Sequence, residues 1–299
     1  MSDAVSASTG KRYGVMRVCR AWELPRSSVY ARRKAGCRAP EWRSAKRGPK
    51  TQYTDADLTG HIRRVLAESP WLGEGHRKVW ARLRFDEVRT SKGRTLRLMR
   101  EAGLLAPNRA GRILGPRNHD GKITTDRPDE MWGTDFTTTY TTEDGQVAVF
   151  IAVDHCTTEG IGIHASKSAN RFEALEPIRQ GVRARFGGFD KNVAKGLKLR
   201  HDHGTQYVAE AFQTEIKWLG IEPSPAFVRA PEGNGCAERF IRTLKEQLLW
   251  VRRFHNVEEL QAALKDWLTK YNEKWLVQRH GYRTPARVRQ ELLAVPTAA

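Results

Sequence analysis

The 299-residue chain has few cysteines and no long hydrophobic run, and each shortage excludes a class of protein. Its four cysteines form no Cys-x-x-Cys pair and no regular framework, which predicts reduced thiols rather than a disulfide-rich secreted fold. The longest apolar run, residues 147–153, has the length of a strand and is far below the ~20 residues of a membrane helix. The first residues also lack the apolar core of a signal peptide. Together these features predict a cytoplasmic protein without a membrane partner.

Acidic residues are scarce in the first part of the chain, so its charge is uneven. The formal net charge is +18, and residues 1–130 contain 29 Lys and Arg against 14 Asp and Glu. The remaining 169 residues contain 23 against 20. Lys and Arg that neutralise phosphates supply most non-specific affinity for nucleic acid. The asymmetry predicts a DNA-binding region ahead of a nearly neutral core, and the alternative is a solvated basic surface.

Two short helical patterns open the chain. Apolar residues between Tyr13 and Tyr30 have helical spacing, interrupted at residues 23–28 by a turn with a proline and capping serines. This outline predicts a helix-turn-helix-like segment over residues 1–40. Residues 37–50 are basic and poor in apolar side chains, which predicts a linker.

Residues 53–107 form a second predicted unit, an all-α DNA-binding domain. Three apolar helix faces are spaced along it, and Gly103 is a plausible stop for the last helix. Basic residues occupy the opposite faces, where they either contact DNA or merely keep a helix surface soluble. The candidate DNA contacts are Arg77, Lys78, Arg82, Arg94, Arg97 and Arg100.

Beyond a predicted linker at residues 108–127 the pattern becomes α/β. A hairpin and a third strand come first, and helices then alternate with short extended segments. This order predicts an RNase-H-like core over residues 127–292, a mixed five-stranded sheet covered by helices. The predicted strands are 131–140, 146–154, 160–165, 197–202 and 221–227, and the predicted helices are 169–186, one around 212–219, 236–251 and 257–271.

Three carboxylates in this core are the candidate catalytic residues: Asp135, Asp202 and Glu238. Thirty-five residues separate Asp202 from Glu238, and Lys245 follows Glu238 by seven. Phosphoryl transfer through two Mg²⁺ ions needs clustered hard oxygen ligands, which carboxylates from strand ends and a helix supply. Helical spacing predicts that Glu238, Arg242 and Lys245 share a face, so the carboxylate would bind metal and the two cations DNA phosphates.

Each of these residues also has a structural interpretation. An aspartate at a strand end is commonly a turn or cap residue, and Glu238 with Arg242 could form an ordinary helix ion pair. His201 and His203 flank Asp202, but Mg²⁺ disfavours imidazole, so contact with substrate is the better prediction for them. Asp154, at a strand end, and Glu232, in the loop before the last acid, are weaker candidates.

The motifs around the acids resemble a known family. Trp-Gly-Thr-Asp-Phe-Thr, Leu-Arg-His-Asp-His-Gly-Thr-Gln-Tyr and Asn-Gly-Cys-Ala-Glu-Arg-Phe, with helical motifs at residues 18–30, 75–83 and 97–104 and His-Gly-Tyr-Arg-Thr-Pro at 280–285, are similar to the second-reading-frame transposases of the IS-three family of insertion sequences. The chain departs from many members at Asn234–Ala237, where they have Asp-Asn-Ala before the glutamate, and at His201, where they have serine. Neither departure removes a ligand.

The resemblance implies a retroviral-integrase-like core with Mg²⁺ as cofactor and Mn²⁺ as a substitute. It also implies cleavage at the 3′ ends of terminal inverted repeats, joining of those ends to target DNA, and contact of Lys245 with DNA near the cut. The implied partners are element ends, target DNA, further copies of the chain on DNA, and an upstream-frame protein or a frameshift fusion with it. The implied location is the bacterial cytoplasm, at the nucleoid.

Two other functions remain open from the residues alone. A non-enzymatic DNA-binding regulator would keep an inactive core, which the intact acids argue against. A nuclease of the RNase H type would cut RNA–DNA hybrids, which leaves the basic N-terminal helices unexplained.

Overall fold

The computed structural model describes residues 2–36, 52–107, 123, 125–226 and 234–294. They belong to two compact units, Met1–Gln52 and Tyr53–Ala299. Both predicted linkers, at residues 37–50 and 108–127, fall almost entirely outside the described residues.

The first unit contains the two helices predicted near the N-terminus. Helix α1 is Gly14–Ala21 and helix α2 is Arg26–Gly36. Cys19 is buried between them, whereas most other side chains of the unit are exposed. So little burial leaves the basic side chains of both helices open to solvent.

The second unit begins with the three predicted helices of residues 53–107: α3 is Asp55–Glu68, α4 is His76–Phe85 and α5 is Lys92–Glu101. Thr54 caps α3 through a reciprocal pair of hydrogen bonds with Asp57, which satisfies backbone donors at the helix start. Beyond the end of α5, Gly103 takes a positive φ of 66°. The apolar faces meet in one small core of Leu58, Ile62, Val65, Val79, Leu83, Val88, Leu98 and Met99.

A five-stranded sheet forms the centre of the second unit, as predicted. Its strands are β1 Met131–Thr141, β2 Gly145–Asp154, β3 Gly160–Ser166, β4 Lys198–His201 and β5 Glu222–Pro225. Their order is β3-β2-β1-β4-β5, with the first two pairings antiparallel and the last two parallel. The prediction of a mixed sheet of the RNase-H-like kind is confirmed.

Strand β2 explains the longest apolar run. Odd residues from Val147 to Val153 pack on one side of the sheet, and Ala148, Phe150 and Ala152 pack on the other. A strand covered on both faces needs apolar residues at every position rather than at alternate ones.

Helices cover both faces of the sheet. Helix α6 (Arg171–Phe186), the short α7 (Thr205–Val208) and α8 (Glu210–Trp218) lie on one side, with α9 (Gly235–Leu244) and α10 (Val257–Lys274) on the other. A π-helical turn, Lys245–Leu249, continues α9. A 3₁₀ turn, Gln278–His280, and helix α11, Pro285–Ala294, follow α10. In the described ranges no helix is long and apolar enough to span a membrane.

Helix α11 was not predicted, and buried charges attach it to the sheet. Arg289 pairs with Asp129, just before β1, and lies 3.4 Å from Glu159, just before β3. Arg185 from the end of α6 also pairs with Glu159, at 2.7 Å. Breaking a buried ion pair would leave an uncompensated charge. These ion pairs therefore hold α11 beside the start of β1.

Candidate active site

Parallel pairing places two of the predicted acids side by side. Gly133 of β1 is opposite Arg200 of β4 at their last paired position. Asp135 lies two residues after Gly133, and Asp202 lies two residues after Arg200. The two aspartates therefore lie beside each other at the end of β4. Both side chains are half-buried. The edge at the end of β4 therefore holds the first two carboxylates.

Helix α9 brings the third acid to the same edge. Asn234, at the helix start, donates from Nδ2 to the Thr134 carbonyl at 2.9 Å. A Cβ on Gly133 would lie 2.9 Å from Asn234 Oδ1, so only glycine allows this approach. Glu238 follows Asn234 by about one helical turn. The start of α9 is thereby anchored on the stretch of β1 that leads into Asp135.

The charges of the other two acids act on Asp135. Burial, the largest effect, together with the nearby charges of Asp202 and Glu238, raises the pKa of Asp135 to about 6. The Phe136 N–H, 2.8 Å from Asp135 Oδ1, and the ammonium of Lys245 act against that rise. Asp135 thus lies within electrostatic reach of both other acids and of the lysine.

Crowded carboxylates of this kind suit a hard divalent cation. Mg²⁺ prefers oxygen ligands, and a cation would favour the charged form of Asp135, whose pKa is raised by burial and by the two nearby acids. Within the described ranges, however, no three acidic, His or Cys side chains are close enough together to hold one ion. The donor set fits by chemistry and charge, and the assignment of the three acids as ligands stays a prediction.

The residues around Asp202 have local partners. The carboxylate accepts from the Gly204 N–H at 2.9 Å, which closes the turn after β4. His201 Nδ1 is 2.7 Å from the Asp202 carbonyl, and burial lowers the pKa of His201. A neutral imidazole that donates to the backbone is poorly placed to bind metal through that nitrogen. His203 is exposed, and contact with substrate stays its prediction.

Asp154, one of the weaker candidates, has a structural role. Its carboxylate accepts from the Thr157 N–H at 2.7 Å, from the Thr157 hydroxyl at 2.8 Å and from the Asp129 N–H at 2.9 Å. Burial raises the pKa of Asp154, and these hydrogen bonds oppose that rise. The side chain organises the turn between β2 and β3. Glu232 lies outside the described residues.

A tyrosine at the site was missed in the sequence. Tyr207 in α7 is fully buried, and burial together with the charges of Asp135 and Asp202 raises its pKa well above the usual value. Its ring stacks on His201 with centroids 5.9 Å apart. It is buried and close enough to both aspartates for their charges to act on its hydroxyl group. The sequence shows that Tyr207 follows Asp202 by five residues. It does not show which way a side chain points in a helix of a single turn.

The two cations predicted near the last acid differ in their surroundings. Arg242 is mostly exposed and pairs with Glu246 at 3.0 Å. Lys245 is half-buried, begins the π-helical turn and reaches Asp135 electrostatically. Lys245 is thus the cation that the structure brings to the acids.

Several predicted DNA contacts in the helical domain have partners inside the protein. Arg82 makes a two-pronged pair with the buried Glu74, with N–O distances of 2.6 and 3.0 Å. Lys78 Nζ lies 2.8 Å from the ring centroid of Trp275, beyond α10. Both side chains hold the fold together, and any DNA contact would have to compete with these partners.

The other basic candidates are more open. Arg94 and Arg97 both pair with Asp55 at 2.7 Å, and these bonds, that of Arg97 first, lower the pKa of Asp55. Arg77 donates to a glutamine of the 3₁₀ turn at 3.3 Å, and Arg100 is exposed. The prediction that these residues contact DNA stays a prediction.

A mixed sheet in this order, with Asp135 under the influence of the charges of Asp202 and Glu238, is typical of integrase-type polynucleotidyl transferases. Family comparisons agree. An integrase core domain family matches residues 125–231, a second integrase core domain family matches residues 219–285, and an HTH-like domain family matches residues 52–112.

One relative matches over nearly the whole chain. The chain is 27% identical over 291 residues to transposase InsD for insertion element IS2A/D/F/H/I/K of Escherichia coli, which covers 95% of this chain and 93% of that protein. The resemblance to the IS-three family is confirmed: the chain is similar over nearly its whole length to an insertion-sequence transposase, and integrase core and HTH-like families match parts of it.

Two solved structures are similar at low identity. A chain of the simian T-cell lymphotropic virus intasome, in complex with PP2A regulatory subunit B56 gamma, is 18% identical with a TM-score of 0.46 over 82% of this chain and 76% of that one. The catalytic core domain of BIV integrase is 22% identical with a TM-score of 0.41 over 55% of this chain and 95% of that one. The fold assignment rests on strand order and the family matches rather than on these likenesses.

Proposed function

We propose that the protein is a DNA transposase that cleaves the ends of its insertion sequence and joins them to target DNA. The observation that supports this most is that Asp135 and Asp202 lie beside each other at the end of β4, where burial and the charges of Asp202 and Glu238 raise the pKa of Asp135. The family match to an integrase core supports the same chemistry.

Asp135, Asp202 and Glu238 are the residues we propose as metal ligands. The integrase core family typically depends on divalent metal, and we propose Mg²⁺, with Mn²⁺ as a substitute. Two bound ions would activate the attacking oxygen and stabilise the leaving oxygen of an in-line displacement. The chain supplies the rest of the site: β1 and β4 fix two carboxylates, and Asn234 fixes the start of the helix that carries the third.

DNA binding is divided among three regions in this proposal: the helix-turn-helix-like segment 1–40, the helical domain 53–107 and the catalytic core 127–292. The HTH-like family match at residues 52–112 supports the middle region. Within the core, Lys245 and Arg242 would contact phosphates beside the acids. Within the helical domain, Arg77, Lys78, Arg82, Arg94, Arg97 and Arg100 remain the candidates.

The proposed partners follow from the reaction. The protein would bind the terminal inverted repeats of its element and a target duplex, as a homo-oligomer that brings two ends together. It would act alone or with the upstream-frame protein, as a frameshift fusion or as a separate chain. Such a protein would work at the nucleoid, in the bacterial cytoplasm.

The proposal is tested with labelled element ends, a target plasmid and Mg²⁺. We expect 3′-end nicking followed by labelled ends joined to plasmid, with neither product when EDTA replaces the metal. End binding without any nicking would favour the regulator. Degradation of an RNA–DNA hybrid without joining would favour the nuclease.

Replacing Lys245 tests the placement of the DNA end. Lys245→Ala should lower end-specific nicking roughly 10- to 100-fold and spread the cut positions, because one hydrogen bond to a charged group contributes about 1.5–3 kcal/mol. Lys245→Arg should keep much of the activity, since it retains the charge. The measurement is nicking at nucleotide resolution.

The matched control is Lys265→Ala, which removes an exposed lysine from α10. If Lys245→Ala nicks as fast and as precisely as this control, Lys245 is an ordinary surface lysine.

A further inference from the structure

The loop between α3 and α4, residues 69–75, is packed into the catalytic core. Trp71 is only 6% exposed and belongs to the core cluster beneath α9 and α10. Its Nε1 donates to the Lys274 carbonyl at 3.3 Å, and its ring lies edge-on to Trp275 with centroids 5.0 Å apart. The helical domain is therefore joined to the core by a buried anchor.

The same loop is hydrogen-bonded to the π-helical turn that continues α9, the segment that contains Glu238 and Lys245. Gln247 Oε1 accepts from the Leu72 N–H at 2.9 Å, and Gln247 Nε2 donates to the Leu72 carbonyl at 3.0 Å. Gln247 lies in the π-helical turn, two residues after Lys245. Such π-helical turns are rare and often occur at functional sites.

Buried hydrogen bonds also tie the loop to helix α4. Glu74 is 3% exposed, accepts both prongs of Arg82 and accepts from the Ser69 hydroxyl at 2.8 Å. A buried carboxylate with three such bonds ties the two ends of the loop to α4. Leu72 itself presents an exposed side chain, so its backbone is what the core holds.

We infer that the α3–α4 loop positions the catalytic helix, defined as α9 with its π-helical turn, and that Gln247 is the positioning residue. The helical domain is then part of the active-site scaffold in addition to any contact with DNA. DNA bound to the helical domain would then keep a fixed position relative to the part of the catalytic helix that contains Lys245. The inference rests on the proposed function, because it concerns where the cut is made.

The test uses the full chain with Gln247→Met, which keeps length and helix propensity but loses both bonds to Leu72. With saturating DNA, single-turnover cleavage should fall on the order of 10- to 100-fold, since small misplacements of reacting groups have effects of this size. Affinity for element ends should stay within about threefold, and cut positions should spread.

The chain offers a matched control in Gln261 of α10. Its Oε1 accepts from the Ala165 N–H at 2.7 Å and its Nε2 lies 3.4 Å from the Ile163 carbonyl, a similar clasp on the edge strand β3. Gln261→Met should cost similar thermal stability and leave the cleavage rate and cut position unchanged.

Three outcomes would overturn the inference. Cleavage by Gln247→Met at the wild-type rate and position would show that the clasp does not position the helix. An equal loss in Gln261→Met would assign the effect to general stability. A wild-type chain that binds element ends but never cuts them would overturn the proposed function itself, and the positioning role with it.

Discussion

Replacing any one of the three acids by its amide, Asp135→Asn, Asp202→Asn or Glu238→Gln, is expected to lower DNA cleavage more than about 10³-fold. Each carboxylate is proposed to hold metal, and metal-assisted charge stabilisation contributes several kcal/mol to a phosphoryl transfer, with about 1.4 kcal/mol for each tenfold. DNA binding should persist or strengthen, because each change removes a negative charge beside the phosphates. Nicking and filter binding with the same labelled ends measure both quantities.

A second readout does not depend on activity. A ligand that binds only the folded state raises its stability, so Mn²⁺ should raise the Tm of the wild type and do so less in each amide variant. Asp154→Asn is the control, because that buried carboxylate organises a turn near the site. It should lower Tm and leave cleavage by the folded fraction intact. Strand joining by Glu238→Gln at the wild-type rate would remove Glu238 from the proposed ligands.

The sheet could be predicted because its strands have sequence patterns that are visible within short segments of the chain. The apolar run of β2 and the alternation of helix and strand after Ser166 predict a covered, mixed sheet. The motif around Asp202 also predicts a strand followed by a tight turn, and the structure has both. Helix α11 was missed because charges distant in sequence, Asp129 and Glu159, hold it in place.

The role of the helical domain could not be predicted for a similar reason. Its helices were visible, but the bonds between Leu72 and Gln247 join residues 175 positions apart. A basic face predicts contact with DNA equally well whether its side chains are free or engaged. Only the folded chain shows that Arg82 holds the buried Glu74, and that Lys78 lies against Trp275.

The first unit should carry much of the sequence-independent affinity for DNA. Residues 1–52 contain 13 Lys and Arg against three Asp and Glu, more than half of the net charge of +18 in about a sixth of the chain. Most of these charges in α1 and α2 are exposed. The helical domain, by contrast, uses several of its basic side chains internally. The second unit has its own cores, so a chain that begins at Tyr53 should fold.

Six to ten phosphate contacts would make the affinity of the full chain for DNA fall about 10³–10⁵-fold between 50 and 200 mM salt. The chain from Tyr53 should bind more weakly at low salt and show a shallower slope, because each lost contact lowers the slope of log affinity against log salt by about 0.9. Changing Arg32, Arg33 and Lys34 of α2 to Gln in the full chain should lower the slope by up to three times that amount, because up to three phosphate contacts would be lost. Fluorescence anisotropy across a salt series measures every slope, with Tm confirming that each variant is folded. An unchanged slope in the shortened chain would place the phosphate contacts in the second unit instead.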